Sequence, residues 1–279
     1  MNNEYIKYFR KRATKYAWRT YKAAYQILRN FDERQHILFI VGCQRSGTTM
    51  LSHLLDRDVR VRSFDEESRL STQDPERLVW DPLEDVNKKL LSGNAPLVVA
   101  KPLVESHRIG KLLELVPNSK VIWIYRNPLD VVSSSLKRFG DTNGVNDIKP
   151  ILENIPDWRL SGCTEATRSL IGSLYTPDSV TSDADAAALF WFSRNQLFFD
   201  QNLQSDDRVI VIKYERFVQN PEAGVKSLFR FLQLDPPEIA VSAIISSSSI
   251  GKGSSIQINP EISKICLKRL AELDAVAHI

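Results

Sequence analysis

Residues 37–55 constrain the fold more than any other stretch. The five apolar residues 37–41 lead into Gly42-Cys43-Gln44-Arg45-Ser46-Gly47-Thr48-Thr49 and then into a run with helical spacing over 48–55. An unbroken Ile/Leu/Phe/Val run of this length is the pattern of a strand covered on both faces, which means a parallel sheet with helices on either side. A glycine-bounded turn between such a strand and a helix collects backbone N–H groups at the positive end of the helix dipole, an arrangement that binds phosphate-like anions. Gly42 and Gly47 suit it because they permit positive φ and a close approach of ligand to backbone.

The rest of the chain repeats the strand, loop, helix rhythm. Residues 97–100, 120–125 and 209–214 read as further strands. Helices are expected over 108–116 (closed by Pro117), over 130–137 (opened by Pro128), over 184–200 and from Pro221 to residue 232. The fold class that follows is α/β, a P-loop-type parallel sheet flanked by helices on both faces. Residues 139–185, rich in Gly, Pro, Ser, Thr and Asp, are expected to form an irregular or helical insertion or lid that borders a binding site. At 279 residues with 43% hydrophobic content, residues 37–279 suit one core domain, preceded by a distinct segment 1–36.

That segment carries nine basic residues against three acidic, a net +6 that leaves the remainder at −3. Aromatic residues are interleaved among the bases and neither Gly nor Pro interrupts them, so a helix is expected. Two roles are open to it: packing its aromatic face on the body or on a second copy in a homodimer, or peripheral contact with an anionic membrane. A total charge of +3 excludes a dedicated nucleic-acid binder. No apolar run approaches the roughly 20 residues needed to cross a bilayer, and no signal-peptide apolar region is evident. Cys43, Cys163 and Cys266 are odd in number and irregular in spacing, and the four histidines lack ligand spacing, so neither a disulfide framework nor a metal site is expected. The reading is a protein of the reducing cytoplasm.

The glycine spacing matches that of a nucleoside-triphosphate loop, but the Lys that reaches the β- and γ-phosphates there is Thr48 here, and Arg45 lies inside the loop. A nucleotide or small-molecule kinase is therefore the alternative rather than the leading reading, and a binding scaffold without activity is a third. A second anion site is indicated at Arg126, at the end of strand 120–125, with Ser134 eight residues on in the next helix and Arg138 one turn beyond. A guanidinium fork and a hydroxyl so placed suit one phosphate. The competing explanation for Arg126 is a helix-start ion pair with Asp130.

Together, Arg45-Ser46-Gly47-Thr48-Thr49 and Arg126-Asn127-Pro128 with Ser134 resemble the sulfotransferase family that uses 3'-phosphoadenosine-5'-phosphosulfate (PAPS). The segment from Lys213-Tyr214-Glu215 to Asn220-Pro221 resembles the family's Tyr-Glu element, in which the Tyr abuts the nucleotide. Lys252-Gly253 resembles its cofactor lid, with Gly251 where the family has Arg. The resemblance runs from Ile37 to Gly253, with 140–183 unmatched. It implies transfer of a sulfuryl group from PAPS to the hydroxyl of a small molecule, carbohydrate or peptide, with release of 3',5'-ADP.

The segment Phe64-Asp65-Glu66-Glu67-Ser68-Arg69 is most similar to that of the tyrosylprotein sulfotransferases. That likeness implies Glu67 as general base, with Glu66 the other candidate, and Arg69 as an acceptor contact. Lys101, followed by Pro102, resembles the family lysine that meets the sulfuryl group and would form a two-cation clamp with Arg45. Fixed cations of this kind remove the need for a metal. The helix bearing Trp191 is expected to contribute to the acceptor wall, and His107 reads as a capping residue.

Overall fold

The computed structural model describes residues 3–29, 35–116, 118–140, 142–175, 182–237, 241 and 245–279, with side chains from residue 16 onward. Tyr5, Tyr8 and Phe9, part of the aromatic face expected at the N-terminus, and Pro117, the expected helix stop, have side chains outside that set. Five strands form one parallel sheet: β1 (His36–Val41), β2 (Val61–Phe64), β3 (Leu97–Ala100), β4 (Ser119–Tyr125) and β5 (Val209–Lys213), in the order β2-β3-β1-β4-β5.

Side-chain alternation divides the interior into two layers. Ile37, Phe39 and Val41 of β1 join Val121, Trp123 and Tyr125 of β4 on one face, while Leu38, Ile40, Ile122 and Ile124 face the other. The first face is covered by α4 (Ile109–Leu115), α5 (Pro128–Phe139) and α8 (Asp183–Asp200); before these in the chain come α1 (Asn3–Arg29), α2 (Thr48–Leu55) and α3 (Leu83–Leu91). The second face is covered by α2, α9 (Tyr214–Gln219) and α10 (Pro221–Leu232). With both faces buried, β1, β3, β4 and β5 are apolar along most of their length, which is why they were visible as continuous runs, whereas the edge strand β2 carries Arg62 and Ser63 at its centre.

Residues 139–185 take the helical rather than the irregular form of the expected insertion. They hold α6 (Asn143–Glu153) and α7 (Glu165–Leu174). The glycine in α6 has a packing cause: a Cβ on Gly144 would stand 2.3 Å from the Asp183 carbonyl, so only glycine lets α6 approach the start of α8. Strand β2, helix α3 and the C-terminal helix α11 (Pro260–Val276) were not anticipated either.

Helix α8 is buried on nearly every side and runs beneath the sheet; even Arg194 and Asn195 are buried. Asn195 and Trp191 tie it to β4 and the residue that follows, and Arg194 Nη2 donates to the Leu103 carbonyl. Asn195 Oδ1 accepts from Trp123 Nε1 at 3.2 Å, and Trp191 Nε1 donates to the Arg126 carbonyl at 3.1 Å. The helix thus fixes both the middle and the end of the strand that carries Arg126.

Two predictions follow from this interior. Asn195→Ala leaves the buried indole N–H of Trp123 without its acceptor and should cost about 1–3 kcal/mol in denaturant unfolding. Burial raises the Cys43 and Cys266 thiols to about 12. The unfolded chain ionises these thiols near pH 8.5 while the folded chain keeps them protonated, so stability should fall as pH rises above about 9. Denaturant midpoints from pH 7 to 10 should show the decline, reduced in Cys266→Ala relative to its own value at pH 7.

Candidate active site

All five strands end at one edge of the sheet, and each delivers a candidate residue there. Gly42 follows β1, Glu66 and Glu67 follow β2, Lys101 follows β3, Arg126 follows β4 and Tyr214 follows β5. The chain lays β1, β2 and β3 on one side and then crosses to β4 and β5, so the strand order reverses between β1 and β4. Ligands of open parallel sheets bind in the crevice at such a reversal.

The loop after β1 is built for close approach. Gly42 has φ +136° and Gly47 φ +102°, and a Cβ on Gly42 would lie 2.1 Å from the Ile124 carbonyl oxygen of β4. A Cβ on Gly47 would lie 2.4 Å from the Tyr214 ring, so the loop rests directly on that tyrosine. Arg45 takes a left-handed conformation, φ 67°. Ser46 and Thr48 are buried, Thr49 is exposed at the start of α2, and Ser46 Oγ is a buried hydroxyl with no hydrogen-bond partner among the described residues.

The second anion site meets this loop. Arg45 Nε donates to Ser134 Oγ at 3.1 Å, and Arg126 Nη1 donates to the Arg45 carbonyl at 3.3 Å. Arg126 is 5% exposed, its guanidinium lies 4.7 Å from the centre of the Tyr214 ring, and its buried Nε has no hydrogen-bond partner among the described residues. The helix-start contact with Asp130 also exists, at 3.6 Å. Arg45 and Arg138 both lie over the ring of Phe139. Burial, with Arg138 and Arg126 nearby, lowers the pKa of Arg45. Positive charge is concentrated here, and among the described residues no carboxylate pairs with Arg45 or Arg138.

Sequence reasoning missed Asp130. Its carboxylate accepts from the Gly251 amide at 2.9 Å and the Gly253 amide at 2.7 Å, fixing the C-terminal loop over the start of α5. Ser133 Oγ donates to the Lys252 carbonyl, while the Lys252 side chain is exposed. Ser249 closes the same junction: its carbonyl accepts from Arg126, and its hydroxyl is 2.6 Å from the Tyr214 hydroxyl.

On the other side of the loop, Lys101 is 7% exposed. Its Nζ is 3.0 Å from Thr49 Oγ1 and 3.4 Å from Glu66 Oε1. Glu66 is half-buried, whereas Glu67 is exposed. A cavity of about 850 Å³ opens beside Thr49, Lys101, Glu66, Glu67 and Arg69, walled on the far side by α1. A smaller one of about 250 Å³ reaches Arg45 and Glu66 past Leu103, Phe139, Trp158 and Phe190. Glu66 borders both. Trp191 borders neither: it is fully buried, so the sequence-based expectation that it contacts an acceptor is not met, and its ring N–H is spent on β4. His107, read from the sequence as a surface or capping histidine, is partly buried, with Nδ1 3.1 Å from the Val104 carbonyl oxygen.

A family model described as a sulfotransferase domain matches residues 35–265. The chain belongs to the sulfotransferase family. Among solved structures it is similar to a sulfotransferase from Alicyclobacillus acidocaldarius, at 18% identity and TM-score 0.51, covering 88% of this chain and 96% of that one. It is also similar to the sulfotransferase domain of the curacin biosynthetic pathway, at 18% identity and TM-score 0.50, covering 87% and 99%. The sulfotransferase domain of the Synechococcus PCC 7002 olefin synthase matches at 17% identity and TM-score 0.50, covering 88% and 97%. No curated protein matches the sequence. At these identities the structures speak for the fold, and the family match speaks for sulfuryl transfer to a hydroxyl acceptor over the kinase alternative.

In this sulfotransferase the Gly251 and Gly253 amides of the C-terminal loop are both held by one carboxylate. Hydrogen bonds to a charged group contribute about 1.5–3 kcal/mol each. Asp130→Ala should therefore speed amide exchange at Gly251 and Gly253 by about tenfold or more, with little change in the exchange of β1. Unchanged protection at both glycines would contradict the anchoring role.

Proposed function

We propose that this sulfotransferase takes its sulfuryl group from PAPS and passes it to an acceptor hydroxyl, releasing 3',5'-ADP. The observation that carries the reading is the bridge from Arg45 to Ser134 and from Arg126 back to the Arg45 carbonyl, which joins two anion sites across β1 and β4. A ligand with two phosphate-bearing ends suits such a pair. The buried, unpartnered Ser46 Oγ and Arg126 Nε are polar groups that a bound anion would satisfy.

PAPS, when bound, supplies the sulfuryl group and a phosphate leaving group. The roles of the chain follow from chemistry and position. The amides of the loop 42–49, with Ser46, Gly47, Thr48 and Thr49, hold the 5' end at the N-terminus of α2. Arg126, Ser134 and Arg138 hold the 3'-phosphate, Tyr214 supports the loop from below, and Lys252 with Gly253 closes over the nucleotide. Lys101 and Arg45 stabilise the charge that develops on the leaving oxygen, the fixed-dipole stabilisation that dominates many transfer reactions. These cations make a metal unnecessary in this reading.

Glu66 is the general base, removing the acceptor hydroxyl proton. Its contact with Lys101 and its place on both cavities favour it over the exposed Glu67, which the likeness to tyrosylprotein enzymes preferred. Arg69 lines the larger cavity with Glu67 and is placed to meet an acceptor there.

Acceptors are found by transfer of labelled sulfate from PAPS onto polysaccharide, peptide and lipid fractions in the presence of EDTA. With the acceptor in hand, Glu66→Gln should lower kcat by about 10²–10⁴, and Lys101→Ala by about 10²–10³. Glu66→Gln should keep its affinity for 3',5'-ADP, whereas Lys101→Ala, which loses a cation beside the leaving phosphate, should bind it more weakly. Loss of activity in Glu67→Gln with Glu66→Gln active would move the base by one residue; full activity in both would remove a carboxylate base from the mechanism.

A further inference from the structure

Helix α1 lies on the body with its polar side inward. Lys22 and Gln26 are buried. Lys22 Nζ donates to the Asp56 carboxylate at 2.7 Å, Gln26 Nε2 donates to the Val59 carbonyl at 2.8 Å, and Trp18 Nε1 donates to the Asp56 carbonyl at 3.2 Å. The opposite side faces away from the protein. Over residues 16–29, at about 100° per residue, Tyr16, Ala17, Thr20, Tyr21, Ala24, Ile27 and Leu28 fall within an arc of about 140° that holds no charged residue of that stretch. All seven are exposed. Tyr16 is 76% exposed, Tyr21 55%, Ile27 66% and Leu28 84%, making this short helical stretch the densest group of exposed large apolar side chains among the described residues.

A surface helix of a globular protein ordinarily turns its apolar stripe to the core. The reverse orientation leaves an apolar face that water disfavours and marks a docking surface. Charge selects its occupant. Residues 1–36 carry a net +6, so two copies of this segment brought face to face would repel, whereas an anionic surface would attract it. No described helix is long and apolar enough to cross a bilayer, which leaves the interfacial position.

We infer that α1 docks this protein in the plane of an anionic lipid surface, with the Tyr16, Tyr21, Ile27 and Leu28 side inserted at the headgroup boundary. Arg19 and Ala23, beside that arc on the helix, line the larger cavity leading to Thr49 and Lys101, so docking sets this cavity next to the membrane. The inference rests on α1 alone and holds whatever the acceptor is.

The test is co-sedimentation of the full chain with vesicles of phosphatidylcholine, with and without about one-third phosphatidylserine. The protein should partition onto the anionic vesicles, weakly or not at all onto the neutral ones, and less at high salt. The double variant Ile27→Glu, Leu28→Glu, both at exposed positions, should lower partitioning by about tenfold or more at an unchanged Tm. Three results would overturn the inference: failure of the folded wild-type chain to bind anionic vesicles, equal binding by the double variant, or a dimer seen by light scattering that the double variant dissolves. The last would assign the face to a second copy.

Discussion

Positive charge that outnumbers its acidic partners organises the carboxyl edge of the sheet: Asp130 meets Arg126 and Glu66 meets Lys101, while among the described residues Arg45 and Arg138 have no carboxylate partner. Arg45, Arg126 and Arg138 converge where the strand order reverses, Lys101 stands across the loop, and Asp130 faces the Gly251–Gly253 amides as well as Arg126. Like charges held this close oppose folding unless something holds their supports rigid or a ligand neutralises them. The rigid supports are visible. The loop rests on Tyr214 and against Ile124, Trp191 holds the Arg126 carbonyl, and Asp130 pins the C-terminal loop. The stability of the interior below the edge is thus what maintains an anion site above it.

The two cavities divide the remaining work. Each reaches Glu66, one from the side of α1 and one through an apolar passage past Phe139 and Trp158. Both routes end at Glu66, whose carboxylate is 3.4 Å from Lys101 Nζ. The candidate residues sit on strand ends, and the approaches to them are shaped by helices such as α1 and α6.

What the sequence made legible was local. The strand, glycine loop and helix over 37–55 are specified by adjacent residues, and so is the Arg126 to Ser134 spacing, which is fixed by one strand end and two helical turns. What it hid was set by distant partners. Asp130 reads as an ordinary helix-start acid until Gly251 and Gly253, more than a hundred residues away, bring their amides to it. Trp191 reads as an acceptor contact because aromatic residues serve that role, yet the packing of α8 under β4 buries it completely. Composition left 139–185 open between irregular and helical, and Gly144 sits in a helix because α6 and α8 pack backbone to backbone there. The order of Glu66 and Glu67 turns on a single-residue offset in a turn, a distinction that spacing does not encode.

The central claim is that the loop 42–49 and the Arg126–Ser134 pair form one site for an adenosine bisphosphate. Isothermal titration of the protein with 3',5'-ADP in EDTA tests it most directly. The account predicts saturable binding with a Kd on the order of micromolar, about −8 kcal/mol, weakened in Arg126→Ala without loss of the fold. Absence of binding by the folded protein, or affinity that Arg126→Ala leaves unchanged, would contradict it.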